Sequence, residues 1–184
     1  SASKAAQEAI AISYWRTFQV PLILPNCLNM FGERQDPEKY LPMLIRKISA
    51  GEEVTVHGSD ACIGRRRYMH ARNHADALLF LLRAQVPVQY LENSRSPLVL
   101  PDRYNIVGDV EVDNLELAGT VAKILGKPLR YKFVDFHGAR PGHDRRYSLN
   151  GEKIKLAGWT PPVDFVASLE STISWTLKHP EWMI

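Results

Sequence analysis

The chain has 184 residues, the size of one ordinary domain, and 45% hydrophobic residues are enough to build a core. No apolar run is long enough to span a bilayer, and no basic segment precedes a hydrophobic one near the start, so no membrane anchor or secretion signal is expected and a cytoplasmic location follows. Two cysteines, Cys27 and Cys62, are too few for a disulfide scaffold and no Cys/His spacing fits zinc, which predicts reduced thiols and no metal.

A helix is predicted at the start, capped by Ser1 or Ser3, with Ala2, Ala5, Ala6 and Ala9 on a small-residue face. Lys4 in its first turn opposes the helix dipole, so helix energetics do not ask for it. Val20 to Leu24 reads as a buried parallel strand, and the polar run from Pro25 to Gly32 follows at its carboxyl end, where open α/β sheets bind ligands. Asp36-Pro37 leads into a helix ending near Ser49 before Gly51, and Val54 to Gly58 forms the next strand. Beyond the arginines at 65–67 and 72, Asn73 is expected to cap a helix that buries Ala75, Leu78, Leu79, Leu81 and Leu82. His70 and His74 lie one turn apart but lack a third ligand.

Residues 85–102 carry three prolines and read as a loop or surface insertion. Tyr104 to Gly108 is a strand, a helix from Asn114 ends near Leu125 before Gly126, and Leu129 to Val134 alternates as a strand should. Helices around Trp159 and from Val163 to Leu177 close the chain, with Trp159 and Trp175 in the core. Arg140-Pro141-Gly142-His143-Asp144-Arg145-Arg146-Tyr147 gathers three guanidiniums, an imidazole and a phenol around a Pro-Gly turn. Such a stretch suits an anion, because Arg presents a planar fork of donors; a solvated basic loop is the competing use. The arginine clusters are not interleaved with exposed aromatics or drawn out into a tail, so a small phosphorylated ligand is favoured over nucleic acid.

The order Arg140 to Tyr147, followed by Lys153-Ile154 and Gly158-Trp159-Thr160-Pro161, resembles the C-terminal segment of the dTDP-glucose 4,6-dehydratases, extended short-chain dehydrogenase/reductases that act on nucleotide sugars. Asn26-Cys27-Leu28-Asn29-Met30-Phe31-Gly32 resembles that family's Asn-Cys-Ser-Asn-Asn-Tyr-Gly, although Met30, Phe31 and Glu33 depart from it. Pro37-Glu38-Lys39-Tyr40-Leu41-Pro42 resembles its Pro-Glu-Lys-Leu-Ile-Pro. Arg66-Arg67-Tyr68-Met69-His70 resembles an Arg-Asp-Tyr-Ile-His segment shared with nucleotide-sugar epimerases, with Arg67 and Asn73 standing where carboxylates are usual.

The resemblance implies an α/β fold: the C-terminal part of a Rossmann-like parallel sheet (about 1–30 and 66–108) interleaved with a small mixed α/β substrate-binding subdomain. Ser1 to Ala6 is similar to the tail of the Tyr-x-x-x-Lys signature, which implies a catalytic tyrosine and a glycine-rich NAD-binding half upstream of Ser1. Lys4 would then lower that tyrosine's pKa and hold the nicotinamide ribose, with Pro25 and Cys27 beside the nicotinamide. The implied nucleotide-sugar ligands are Asn29, Lys39, Leu41, His57, Arg66, Asn114, Arg140, His143 and Tyr147. Arg66 and Arg140 would take the diphosphate, His57 would stack on the base and Asn114 would reach the nucleoside. The implied whole is an NAD-dependent homodimeric dehydratase, of which this chain alone is expected to be inactive. A 4-epimerase or decarboxylase of the same fold, and a non-catalytic binding module, are the alternatives.

Overall fold

The computed structural model describes residues 2–59, 62–83, 100–135 and 144–183. Its first element, helix α1 (Ala2–Phe18), buries only Trp15 and leaves Ile10, Tyr14 and Phe18 exposed. Gln19 then takes a positive φ of 56°. With Pro21 unable to donate a backbone hydrogen bond, strand β1 starts at Ile23 rather than Val20 and runs to Cys27. It lies parallel to β7 (Asp102–Ile106), Ile23 opposite Asp102 and Cys27 opposite Ile106. A second parallel pair joins β2 (Met30–Phe31) to β6 (Met69–His70). The mixed parallel-strand α/β architecture expected from the sequence is present.

Helix α2 (Tyr40–Ser49) packs one face into the core and ends as expected before Gly51, which has φ of 72°. Strand β3 (Val54–Ser59) pairs with β4 (Cys62–Ile63) antiparallel and with β9 (Tyr131–Val134) parallel. Helix α4 (Asn114–Leu125) shows why its sequence is legible. Asp113 accepts from the Leu115 and Glu116 amides at 2.9 and 2.8 Å, the Glu116 carboxylate accepts from the Asp113 amide at 2.7 Å, and Gly126 closes the helix in the left-handed region. Leu44, Ile45, Val54, Val56, Leu117 and Val121 form the main core with Leu169 and Ile173 of α6 (Phe165–Lys178).

A smaller cluster joins Ala77 and Leu81 of α3 (Ala71–Arg83) to Tyr104, Ile106, Trp159 and Ile154 of α5 (Glu152–Leu156). Trp159 donates its indole N–H to Asp76 at 2.8 Å. Here three expectations need correction. Helix α3 starts at Ala71, so Asn73 lies inside it and spends its amide on the Val163 carbonyl at 2.7 Å instead of capping. Ala75, Leu79 and Leu82 face solvent, because the buried face follows Asn73, Ala77 and Leu81. Trp175 is half-buried, stacked on His179 at 4.2 Å between centroids.

Two glycines separate a packing requirement from a mere helix weakness. A Cβ on Gly108 would lie 2.0 Å from the Tyr68 carbonyl oxygen, whereas one on Gly119, inside α4, would meet nothing within 4 Å. Gly108→Ala should therefore lower stability by about 1–3 kcal/mol or more, and Gly119→Ala should raise it by roughly 0.5–1 kcal/mol. Urea denaturation of both variants checks the opposite signs.

Candidate functional site

The site is built around β5 (Arg65–Arg67), which lies between β10 (Arg146–Tyr147), parallel to it, and β8 (Glu111–Asp113), antiparallel. Side chains alternate across a strand, and residues opposite one another in a register share a face. Register therefore places Arg66, Tyr147 and Val112 on one face and Arg65, Arg67, Arg146 and Glu111 on the other. The three consecutive arginines thus do different work.

Arg66 is buried, 8% exposed, and its guanidinium is spent on backbone. Nη1 donates to the Arg65 carbonyl at 2.7 Å and to the Arg145 carbonyl at 3.3 Å, while Nη2 donates to the Asp144 carbonyl at 2.7 Å. The Tyr147 ring centroid stands 6.0 Å from its central carbon. On the opposite face Arg146 donates Nε and Nη2 to the two carboxylate oxygens of Glu111 at 2.6 and 2.8 Å. Arg67 donates to the Gly108 and Asp109 carbonyls and brings Nε within 3.7 Å of Glu111. These arginines hold the Glu111 carboxyl below the usual carboxylate range, chiefly through the Arg146 hydrogen bonds.

Other predicted residues converge on this sheet. The Asn114 backbone N–H donates to the Gly64 carbonyl at 3.1 Å, and the Tyr40 hydroxyl, next to Lys39 and Leu41, donates to the Asn114 backbone carbonyl at 2.9 Å. Burial raises the Tyr40 phenol well above its ordinary value and pushes Tyr68 up to about 12, so both stay protonated donors. Asn29, at φ of 41°, donates its amide to the Arg67 carbonyl at 3.3 Å. His57 lies on β3 opposite Val134, one residue before Gly58, which lines a cleft of about 280 Å³ with Cys62, Gly64, Phe133, Asp135 and Arg145. Leu41 is only 3% exposed, so its side chain belongs to the core and its backbone alone is available to a ligand.

Three predicted residues stand apart from this group. Lys4 donates to Gln7 of its own helix at 3.2 Å, and the register of β1 sets Pro25 opposite Tyr104 and Cys27, an exposed thiol, opposite Ile106. Arg140 and His143 lie outside the described residues. Among the described residues no three His, Cys, Asp or Glu side chains are grouped as a metal site, and no helix is long and apolar enough to cross a membrane.

Two features escape sequence reasoning: Glu111, and a cluster of Glu33, His70 and Arg72. Glu33 pairs with Arg72 at 3.1 Å and comes within 3.2 Å of His70 Nε2, close but not aligned as a straight hydrogen bond. His70 Nδ1 accepts from the Arg72 amide at 3.1 Å. Burial lowers the His70 pKa, outweighing the Glu33 carboxylate, which raises it, with Arg72 lowering it further. The cluster fastens the segment after Asn29 to the start of α3. The departure of Glu33 from the resembled pattern was the one available signal.

Residues 1–105 match the NAD dependent epimerase/dehydratase family. The dTDP-glucose 4,6-dehydratase of Neisseria gonorrhoeae is 35% identical over 97% of this chain and 50% of its own length. Among solved structures, the dTDP-glucose 4,6-dehydratase of Bacillus anthracis in complex with NAD superposes with a TM-score of 0.78 at 30% identity, covering 98% of this chain and 52% of that one. The Streptomyces venezuelae dTDP-glucose 4,6-dehydratase gives 0.79 at 29% identity, covering 98% and 51%. The chain spans about half the length of the curated relatives it matches.

His70 sets a pH dependence. Its folded pKa is below the unfolded value of 6.5, so the unfolded chain binds the proton more readily and stability falls as pH drops below about 6.5. Melting temperatures at pH 7.5 and 5.5 should differ more for this chain than for His70→Gln. Equal differences would remove His70 from the account.

Proposed function

Because this chain belongs to the NAD dependent epimerase/dehydratase family, we propose that it is the nucleotide-sugar-binding, C-terminal portion of an NAD-dependent dTDP-glucose 4,6-dehydratase. The observation that carries this reading is the convergence on β5 of Arg66, Tyr147, Asn29 and Asn114, with the start of α2 attached through Tyr40. Polar groups from four elements and from the connection between β1 and β2 meet at one small sheet, beside an open cleft. Relatives about 30–35% identical along nearly all of this chain bear the dehydratase name, which supports a dTDP-hexose over other substrates.

On this reading, Arg140 holds the diphosphate through charge-assisted contacts, and Arg66, whose guanidinium holds the Asp144 and Arg145 carbonyls, lends positive charge to the site. Asn114 and the backbone at Lys39 and Leu41 line the nucleoside pocket, where an amide offers both a donor and an acceptor to a pyrimidine edge. His57 covers the base, while Asn29, His143 and Tyr147 face the phosphates and sugar. The sequence has no G-x-G-x-x-G run to receive a dinucleotide pyrophosphate, so the firm NAD contacts belong to an N-terminal half. This chain would hold the nicotinamide end through Lys4, Pro25 and Cys27. The exposed contact of Lys4 with Gln7 fits that role, because a ribose hydroxyl can replace the amide oxygen. Bound NAD supplies the hydride acceptance and return that a 4,6-dehydration needs. Lys4 favours the ionised form of a neighbouring phenol by its charge and so assists removal of a hydroxyl proton from the sugar. The whole enzyme works as a homodimer in the cytoplasm.

The reaction is tested by incubating the full-length enzyme with dTDP-glucose and weighing the product. Loss of one water with a 4-keto-6-deoxy sugar is expected, whereas unchanged mass, or loss of carbon dioxide from a uronic acid substrate, would refute dehydration. Arg140→Ala and Arg66→Ala should each weaken nucleotide-sugar binding about ten- to a hundredfold, equivalent to roughly 1.5–3 kcal/mol, and leave NAD content unchanged. Substrate affinities within twofold of wild type in both variants would overturn the assignment.

A further inference from the structure

Strand β10 is two residues long, and so short a strand gains little from backbone pairing alone. Its backbone link to β5 includes the Arg65 amide donating to the Arg145 carbonyl at 2.8 Å. Two side chains add to this from opposite faces of the sheet: Arg66 on one, Glu111 on the other. Glu111 belongs to β8, which is not the neighbour of β10; the strand order is β10-β5-β8, so its carboxylate reaches over β5 to Arg146. Both oxygens are used in a bidentate pair at 2.6 and 2.8 Å, a geometry that fixes orientation as well as distance. The same carboxylate lies 3.7 Å from Arg67, and Arg65 is paired separately with Glu116 at 3.3 Å. Without Glu111 the guanidiniums of Arg67 and Arg146 would share one face of a three-stranded sheet with no carboxylate between them. Like charges at that spacing would push β10 away from β5.

We propose that Glu111 is a positioning residue for nucleotide-sugar binding: reaching from β8 over the intervening β5, it fastens Arg146, and with it Tyr147, against β5. Glu111 itself need not touch the ligand. It sets where Tyr147 stands, so it governs substrate affinity more than turnover. This role rests on the nucleotide-sugar reading above, although the clamp itself does not.

The clamp is tested on the 184-residue chain by amide hydrogen exchange of Arg146 and Tyr147 in wild type, Glu111→Gln and the charge-exchanged pair Glu111→Arg with Arg146→Glu. Glu111→Gln keeps the shape and removes the charge, so exchange in β10 should quicken at least tenfold while core amides of α2 and α4 are unchanged, and the exchanged pair should recover most of the protection. Unaltered β10 exchange in Glu111→Gln, or uniform quickening across the core, would overturn the clamp. In the full-length enzyme Glu111→Gln should raise the KM for dTDP-glucose about tenfold with kcat within twofold, and the exchanged pair should restore KM to within about threefold. Loss of kcat with unchanged KM, or no recovery in the exchanged pair, would overturn the positioning role. Failure of the wild-type enzyme to use dTDP-glucose would count against the substrate assignment and leave the exchange result to decide the clamp.

Discussion

The buried guanidinium of Arg66 is the interaction on which the rest of the site depends. A charge removed from water is tolerated only where acceptors surround it, and here the acceptors are the carbonyls of Arg65, Asp144 and Arg145. Two of the three belong to the segment leading into β10. The cost of burying Arg66 is therefore offset only when that segment lies against β5, which couples the ordering of one arginine to the placement of another part of the chain. A lysine could not substitute, since a single ammonium on a flexible stem does not span acceptors arranged for a planar fork.

Alternation then distributes the neighbouring charges. Arg65 and Arg67 face away from Arg66 and find carboxylates at Glu116 and Glu111, so a run of three arginines becomes a strand rather than a solvated basic patch. Glu116 serves twice, as a partner for Arg65 and as the closing residue of the α4 capping box. That box fixes Asn114 at the first position of the helix, and the Asn114 amide in turn meets the Gly64 carbonyl next to β5. Helix start, strand and candidate ligand residue are thus one hydrogen-bonded unit. On the proposed reading, binding a nucleotide diphosphate calls for such rigidity, because each contact must be in place before the ligand arrives.

How much of this was legible depended on the range of the interactions. Helix α4 is specified within its own sequence by Asp113, Glu116 and Gly126, and its limits follow from them. Helix α3 departs from its sequence pattern at its start and on its outer face. Apolar spacing alone did not distinguish the Ala77 and Leu81 side from Leu79 and Leu82, and the partner of Asn73 is a carbonyl 90 residues away. The arginine and tyrosine of the β5–β10 pair could be recognised from the motifs around them. Glu111 could not, because a three-residue strand has no period to detect and its partner is 35 residues distant. Lys4 was singled out by resemblance, and the described contacts leave it on its own helix, away from the β5 group.

The claim that one ligand-binding centre forms around β5 is tested most directly by titrating the isotopically labelled chain with thymidine diphosphate and following its amide resonances. The account predicts that the perturbed amides cluster at Asn29, Lys39 to Leu41, His57, Gly64 to Tyr68, Asn114 and Arg145 to Tyr147, and that the amides of α1 and α5 stay unchanged. Perturbations confined to α1, or to Gly108, Gly151, Trp159 and Pro161, which line a cleft together with Arg67 and Arg146, would contradict it.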